Sequence, residues 1–292
     1  MTGLEQIDAY LAGPWLLCAL VGLGFAVGVL SGLFGVGGAF LLNPLLIVVL
    51  GLNESLVVGS GLSFAIGTGA AGMVRHMRGR NVEFRSMWIL GVAAIVGTLG
   101  GTELHQWLRR LAGPEHFKVL ILALYLAMLL AVAWLVYRDA PNSPGGRSLL
   151  QRLPLPPRIS LPAAGRPGVS LPGLIGVGVI VGLAVGMLGI GGGVLFMPLL
   201  LMVVGLSAHQ AVGTSLGVVL FGSISGTIHH SLHGNVSLWI AMSLLVGSSA
   251  GVQLGAYFCE RLHARRLRRW FACVVAVAAV IVAVKLAASL LQ

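Results

Sequence analysis

Charged side chains are scarce in this chain: Asp, Glu, Lys and Arg make up 9% of the residues against 57% hydrophobic ones. So little charge excludes a soluble domain with a solvated shell and points to a chain that crosses a membrane several times. Negative charge is scarcest. The eight acidic residues, Glu5, Asp8, Glu54, Glu83, Glu103, Glu115, Asp139 and Glu260, fall between or at the ends of apolar segments. No carboxylate is expected at mid-membrane, which argues against a cation path lined by buried acids. The three cysteines, Cys18, Cys259 and Cys273, show no CxxC spacing and read as small apolar packing residues rather than a disulfide or thiolate framework. No Lys or Arg precedes the first apolar run, the wrong charge for a cleavable signal peptide, so Trp15 onward reads as a retained span.

What charge there is has one sign. The formal net charge of +10 comes almost wholly from arginines in connecting loops. It reads as a topology signal and as contact with membrane lipids, not as a nucleic-acid face. The preference for Arg over Lys, with abundant Ala, Gly and Leu, fits a GC-rich bacterial genome.

Glycine is abundant, with 43 residues, and its placement repeats. The stretch Gly32-Leu-Phe-Gly-Val-Gly-Gly-Ala-Phe-Leu-Leu-Asn-Pro-Leu-Leu46 returns as Gly186-Met-Leu-Gly-Ile-Gly-Gly-Gly-Val-Leu-Phe-Met-Pro-Leu-Leu200, an offset of 154 residues. The same offset holds without a gap from Gly22/Gly176 through Pro44/Pro198, Gly59/Gly213, His76/His230 and Asn81/Asn235 to Gly101/Gly255. The chain is a duplicated membrane protein. Residues 1–137 form the first repeat, 138–170 a linker rich in Pro and Arg, and 171–292 the second repeat.

Hydropathy predicts an all-α polytopic fold of about 8–10 helical segments. They run Trp15 to Leu33, Ala39 to Leu50, Ser55 to Val74, Ser86 to Glu103 and Phe117 to Tyr137, then Leu171 to Leu188, Val194 to Leu206, Gln210 to Ile228, Leu238 to Phe258 and Trp270 to Leu290. The second segment of each half would rise only about 20 Å as a helix, too short for a hydrocarbon core of about 30 Å. Each is expected to be a half-helix, or the continuation of the preceding span across a break at Gly35, Gly37 and Gly38 or at Gly189, Gly191, Gly192 and Gly193. Such a break survives at membrane depth only where it is buried in protein or lines a cavity. The linker, with seven prolines from Pro141 to Pro167 and with Arg138, Arg147, Arg152, Arg158 and Arg166, reads as extended and solvated.

Loop charge orients the spans. The loop carrying Arg75, Arg78, Arg80 and Arg85, the linker, and the loop carrying Arg265, Arg266, Arg268 and Arg269 should all face the cytoplasm. The loop His229 to Val236 is equivalent to Arg75 to Val82 yet holds no Lys or Arg, and lies one span before the basic loop near Arg261. Equivalent loops then fall on opposite sides, as in inverted-topology repeats with a substrate site near the midplane. Arg109, Arg110 and Lys118 run against this scheme, offset in part by Glu103 and Glu115.

The glycine run is no dinucleotide fingerprint, since GxGxxG would need glycine where Phe40 and Val194 stand. It precedes a short helix in each half, and two half-helix N-termini facing the midplane would form an anion site without a basic side chain. Ser60, Ser63, Thr214 and Ser215 would add hydroxyl donors. The alternative is that the glycines serve close packing and the hydroxyls bond their own helix carbonyls. The GxxxG pairs Gly28/Gly32, Gly182/Gly186, Gly97/Gly101 and Gly251/Gly255 read as packing surfaces. His76 and His230, each ending a third span, would be interfacial residues or proton-coupling groups. His229, His230 and His233 make a poor metal site without further ligands. Neither a cofactor nor an enzyme-like nucleophile and base pair is indicated.

With the duplication, the G-x-x-G-x-G-G-(A/G)-x-x-x-x-P-L-L element in both halves and the His-x-x-x-x-Asn pairs at 76/81 and 230/235, the chain resembles the TauE/SafE sulfite exporter family from about Trp15 to Leu290, linker excepted. The resemblance implies a permease of the bacterial inner membrane for sulfite, sulfonates or related small organosulfur anions. A passive anion channel and a non-transporting scaffold are the alternatives, and the coupling ion, the direction of transport and a homo-oligomeric state stay open. The family's glycine element falls on Gly35, Gly37, Gly38 and Pro44, and on Gly189, Gly191, Gly192, Gly193 and Pro198. The copies differ at Ala39 against Gly193 and at Asn43 against Met197, which makes Asn43 a candidate substrate contact supplied by one half.

Overall fold

In a computed structural model of the protein, residues 14–49, 51–138, 155–161 and 166–290 are described. The first repeat comprises α1 (Pro14–Phe34), α2 (Ala39–Val49), α3 (Glu54–Arg78) and α4 (Phe84–Arg138); after a short hairpin, β1 (Arg158–Leu161) and β2 (Arg166–Ser170), the second comprises α5 (Leu171–Leu188), α6 (Gly193–Leu199), α7 (Ala208–Leu232), α8 (Leu238–Arg261) and α9 (Ala264–Leu290). Among the described residues, eight spans are long and apolar enough to cross a membrane. Two of them are the arms of α4, Phe84–Gly113 and His116–Val136, separated where Gly113 leaves helical geometry at φ 69°, ψ 167°. The two expected short segments are present as α2, of 11 residues, and as α6 with the π-helical turn Leu200–Val204 that follows it. Pro198 inside α6 has no N–H to give to the ladder, and the wider turn begins two residues on.

Local chemistry fixes the helix starts. Asn53 accepts from the Ser55 amide at the start of α3, Ser207 and Gln210 form a capping box on α7, and Ser237 accepts from the Ile240 amide on α8. The outer surface of the bundle is apolar: Trp88, Val96, Trp134, Ile180, Val246 and Trp270 are all exposed, as expected of side chains facing lipid rather than water. Cys18 and Cys273 lie on that surface too, and only Cys259 is buried.

The glycine stripes lock helix to helix across the repeats. Gly24, Gly28 and Gly32 of α1 lie against backbone at Leu244, Ser248 and Val252 of α8, and a methyl on Gly28 would sit 2.7 Å from the Ser248 Cα. Adding 154 to the α1 residues and subtracting it from the α8 residues gives the second interface: Gly178, Gly182 and Gly186 of α5 lie against Leu90, Ala94 and Thr98 of α4. Gly97 and Gly101 meet Val179 and Leu183 as Gly251 and Gly255 meet Phe25 and Val29. The packing role read from the GxxxG spacing holds at all four pairs.

The equivalent helices α3 and α7 run antiparallel. Gly59, near the start of α3, lies against the Asn235 carbonyl just beyond α7, and Gly213, near the start of α7, lies against the Asn81 carbonyl just beyond α3. The basic loops gather at one end of the bundle. Arg75 pairs with Glu260 at 3.0 Å, and Arg85 donates to the Ser160 carbonyl at 3.0 Å.

The linker is not wholly an extended, solvated strap. Arg158–Leu161 pairs antiparallel with Arg166–Ser170, and Leu161 and Val169 are fully buried in the main core. Enough apolar residues lie between the prolines to give this hairpin one buried face, which the density of Pro and Arg concealed. Residues 139–154 and 162–165 of the linker lie outside the described residues.

Candidate functional site: two glycine breaks that meet

Both expected breaks are present, and both need glycine. Gly35, Gly37 and Gly38 have φ of 74°, 70° and 80°, and Gly189, Gly191 and Gly192 have 66°, 68° and 83°, a left-handed geometry that a Cβ disfavours. Gly193, the first residue of α6, is needed for a different reason: the Val36 backbone and the Gly35 carbonyl occupy the space where its side chain would stand. The two breaks therefore touch. They converge beside Ala39, Ala65 and Val219, which form a fully buried cluster. A methyl on Gly37 would lie 2.8 Å from Val219 Cγ1, and one on Gly191 would lie 3.1 Å from Ala65 Cβ and 3.7 Å from Ala39 Cβ. The point of convergence is close-packed, since even a methyl added to either glycine would crowd its neighbours.

Side chains from both repeats hold the carbonyls that the breaks release. Ser215 Oγ donates to the Gly35 carbonyl at 2.7 Å, and Thr68 Oγ1 donates to the Gly37 carbonyl at 2.7 Å. In the other break, Asn43 Nδ2 donates to the Gly189 carbonyl at 2.8 Å. Gly35 and Gly189 are equivalent, but their donors are not. The partner of Ser215 by the repeat offset is Gly61, and the partner of Asn43 is Met197. A side chain on Gly61 would collide with Asn43 Oδ1. One half thus uses a serine hydroxyl on the third span, whereas the other leaves that position bare and fills the space with a carboxamide from α2. Asn43 is fully buried and engaged with the opposite break.

The remaining candidates divide by role. Ser60 Oγ accepts from the Ser237 amide and Thr214 Oγ1 from the Glu83 amide, at 2.8 and 2.9 Å, each across the repeat boundary. Both act on the residue that begins the following span of the other half, and both keep a hydroxyl proton for a further acceptor. Ser63 donates to the Gly59 carbonyl of its own helix. His76 Nε2 lies 3.1 Å from the Gly32 carbonyl, and His230 Nε2 lies 3.3 Å from that of Gly186. Both histidines are fully buried, tying the end of a third span to the last turn before each break. The Asn of each His-x-x-x-x-Asn pair returns its amide to the histidine carbonyl at 3.0 Å, closing the turn.

The comparisons with known proteins bear on this architecture as a whole. The model of the family "Sulfite exporter TauE/SafE" matches residues 20–282. The chain belongs to the TauE/SafE family. A "Probable membrane transporter protein YjnA" of Bacillus subtilis is 31% identical over 266 residues, covering 89% of this chain and 96% of the relative. A "Probable membrane transporter protein" of Xylella fastidiosa is 30% identical over 270 residues, covering 91% and 94%. One of Methanocaldococcus jannaschii is 24% identical over 273 residues, covering 87% and 90%. No solved structure gives a significant match. Family membership and the eight apolar spans make the chain a multi-pass membrane transporter.

In this TauE/SafE member, the structure also assembles residues that the sequence reading passed over. His105 is fully buried, 3.1 Å from Ser55 Oγ through Nε2 and 2.8 Å from the Met187 carbonyl through Nδ1, with its ring 5.2 Å from that of His230. By the offset, Ser55 corresponds to His209 and His105 to Cys259. His209 Nε2 lies 3.1 Å from the Cys259 carbonyl. Each half therefore carries one histidine at this junction, on opposite members of the pair. Comparing polar residues across the offset, rather than identical ones, would have exposed the exchange. Among the described residues, no group of three or more His, Cys, Asp or Glu side chains is placed to hold a metal ion.

Proposed function

We propose that the protein is a secondary transporter for a small sulfur oxyanion, sulfite or a sulfonate, across the bacterial inner membrane, working through inverted repeats that part at the glycine breaks. The observation that carries the reading is the contact between the two breaks at the centre of an antiparallel α3/α7 pair. A two-fold relation that exchanges antiparallel helices has its axis perpendicular to them, in the membrane plane, which is the arrangement that lets one structure open alternately to either side. Rocking α3 against α7 would separate Gly37 from Val219 and Gly191 from Ala65 and so open a space lined by the two breaks.

The chemistry of that space suits an anion. Break carbonyls at Gly35, Gly37 and Gly189 already accept from Ser215, Thr68 and Asn43. The Gly35 and Gly189 amides close their own helices, so the backbone N–H groups further along each break are the partners to offer a ligand. Ser60 and Thr214 retain hydroxyl protons for the same use. Glu83, the most buried of the acids with described side chains, meets these residues through its backbone amide on Thr214, while its carboxylate is used to accept from the Ser86 amide at the start of α4. The family name supplies sulfite as the first anion to test.

The test is a thermal-shift panel on purified protein with sulfite, sulfate, thiosulfate, sulfoacetate and taurine. The proposal expects stabilisation by at least one sulfur oxyanion and none by sodium chloride at matched ionic strength. Uniform absence of stabilisation, with flux absent as well, would contradict it and favour a scaffold.

A further inference from the structure

We infer that the basic end of the bundle carries a separate oxyanion-binding site at its mouth, built on Arg78. A cavity of about 460 Å³ opens to solvent there, lined by Arg75, Arg78, Gly79, Asn81, His209 and Glu260. Two arginines face it, but they are not equivalent. Arg75 is committed to Glu260 at 3.0 Å, which neutralises that pair. Arg78 makes no hydrogen bond or ion pair to any described residue and is exposed on the last turn of α3. The cavity thus holds one uncompensated guanidinium, a planar fork of donors suited to two oxygens of a sulfite, sulfonate or phosphate group.

The floor sets a donor beside an acceptor, so the charge that favours an oxyanion is that of Arg78. Gly79 offers no side chain, and the space a methyl would take there lies 2.9 Å from Asn81 Nδ2 and 3.0 Å from Glu260 Oε1. The Asn81 amide is thereby placed beside the cavity as a second, neutral donor. His76, two residues before Arg78 on α3, carries the bond to Gly32 at the approach to the break, so less than one turn of helix separates Arg78 from the residue that holds that approach.

The repeat supplies an internal control. The equivalents of Arg75, Arg78, His209 and Glu260 at the other mouth are His229, Leu232, Ser55 and Gln106. The uncompensated arginine is replaced by an exposed leucine, 79% accessible, so the duplication places this charge at one mouth and not at the equivalent position of the other. The oxyanion could be free solute or the phosphate of a lipid headgroup, since both present the same oxygens to Arg78.

The inference rests on the anion reading of the cargo only for its biological use; binding is tested without flux, so a failure to transport leaves the outcome unaffected. Full-length protein in nanodiscs of phosphatidylcholine is titrated with sulfite and followed by thermal stability, and the series is repeated in discs containing phosphatidylglycerol without added sulfite. The wild type is expected to be stabilised, and Arg78→Leu is expected to raise the half-saturating anion concentration about three- to tenfold, the loss of a single charge-assisted contact. Leu232→Arg, on an exposed position, is expected to add a second, weaker binding event. Arg78-dependent stabilisation by sulfite identifies a free anion as the guest, and Arg78-dependent stabilisation by phosphatidylglycerol alone identifies a headgroup. Equal responses of wild type and Arg78→Leu in both series overturn the site.

Discussion

The exchange of Asn43 and Gly61 for Met197 and Ser215 makes a quantitative prediction. If the carboxamide of Asn43 does in one break what the Ser215 hydroxyl does in the other, each half can be converted to its counterpart, but only by changing both positions. Asn43→Met removes the donor to the Gly189 carbonyl, 2.8 Å away in a fully buried setting, and an unpaired buried carbonyl costs about 1–3 kcal/mol. Gly61→Ser alone drives a side chain into Asn43 Oδ1, an overpacking penalty also of about 1–3 kcal/mol. The double variant reproduces the second half, with the hydroxyl introduced by Gly61→Ser standing at the position from which Ser215 reaches its carbonyl at 2.7 Å. It should therefore be more stable than either single variant, with a coupling energy of about 1–3 kcal/mol. At roughly 2–4 °C per kcal/mol, thermal melts in detergent resolve the four members of the cycle. Penalties that simply add would refute the equivalence of the two donors.

Other expectations follow from the same geometry. Gly37→Ala and Gly191→Ala place a Cβ on left-handed backbone inside the packed centre and should each lose about 1–2 kcal/mol from the backbone alone, whereas Gly22→Ala and Gly176→Ala, with nothing within 4 Å of the added methyl, should leave the melting temperature unchanged or raised. Single cysteines at Arg80 and Gly234, equivalent turn positions with φ of 54° and 67°, should label from opposite sides of the membrane; labelling of both from one side would rule out the inverted arrangement. His76→Phe and His230→Phe forfeit the bonds to the Gly32 and Gly186 carbonyls and should lower stability by about 1–3 kcal/mol each. If His76 carries protons during transport, His76→Gln should keep the protein folded while flattening the dependence of flux on pH; an unaltered profile would leave the histidine a purely structural tie.

Much of this architecture is legible in the sequence because its determinants are residue identities under steric compulsion. Left-handed backbone at Gly35, Gly37 and Gly38 admits little but glycine, and a duplication that preserves it at Gly189, Gly191 and Gly192 marks the breaks twice. Close approach of α1 to α8 and of α5 to α4 likewise demands small residues at fixed spacing, so the GxxxG pairs report it directly. The donors to the breaks are harder to read. Asn43 and Ser215 occupy different positions in their repeats and are related only through the space that Gly61 leaves empty, a relation that exists in three dimensions and not along the chain. The histidine junction is hidden for the same reason, because Ser55 and His105 exchange roles with His209 and Cys259. The pairing of Arg158–Leu161 with Arg166–Ser170 is obscured by composition, because the prolines and arginines spread along the linker hide the few apolar residues that bury it.

The central claim, that paired glycine breaks carry a sulfur oxyanion across the membrane by alternating access, is tested most directly by radiolabelled sulfite flux in proteoliposomes under an imposed proton or sodium gradient. The account predicts accumulation above the external concentration that is lost in Gly37→Ala and saturates with sulfite concentration. Flux that only dissipates the sulfite gradient under every imposed ion gradient, or none at all from protein that still binds the anion, would contradict it.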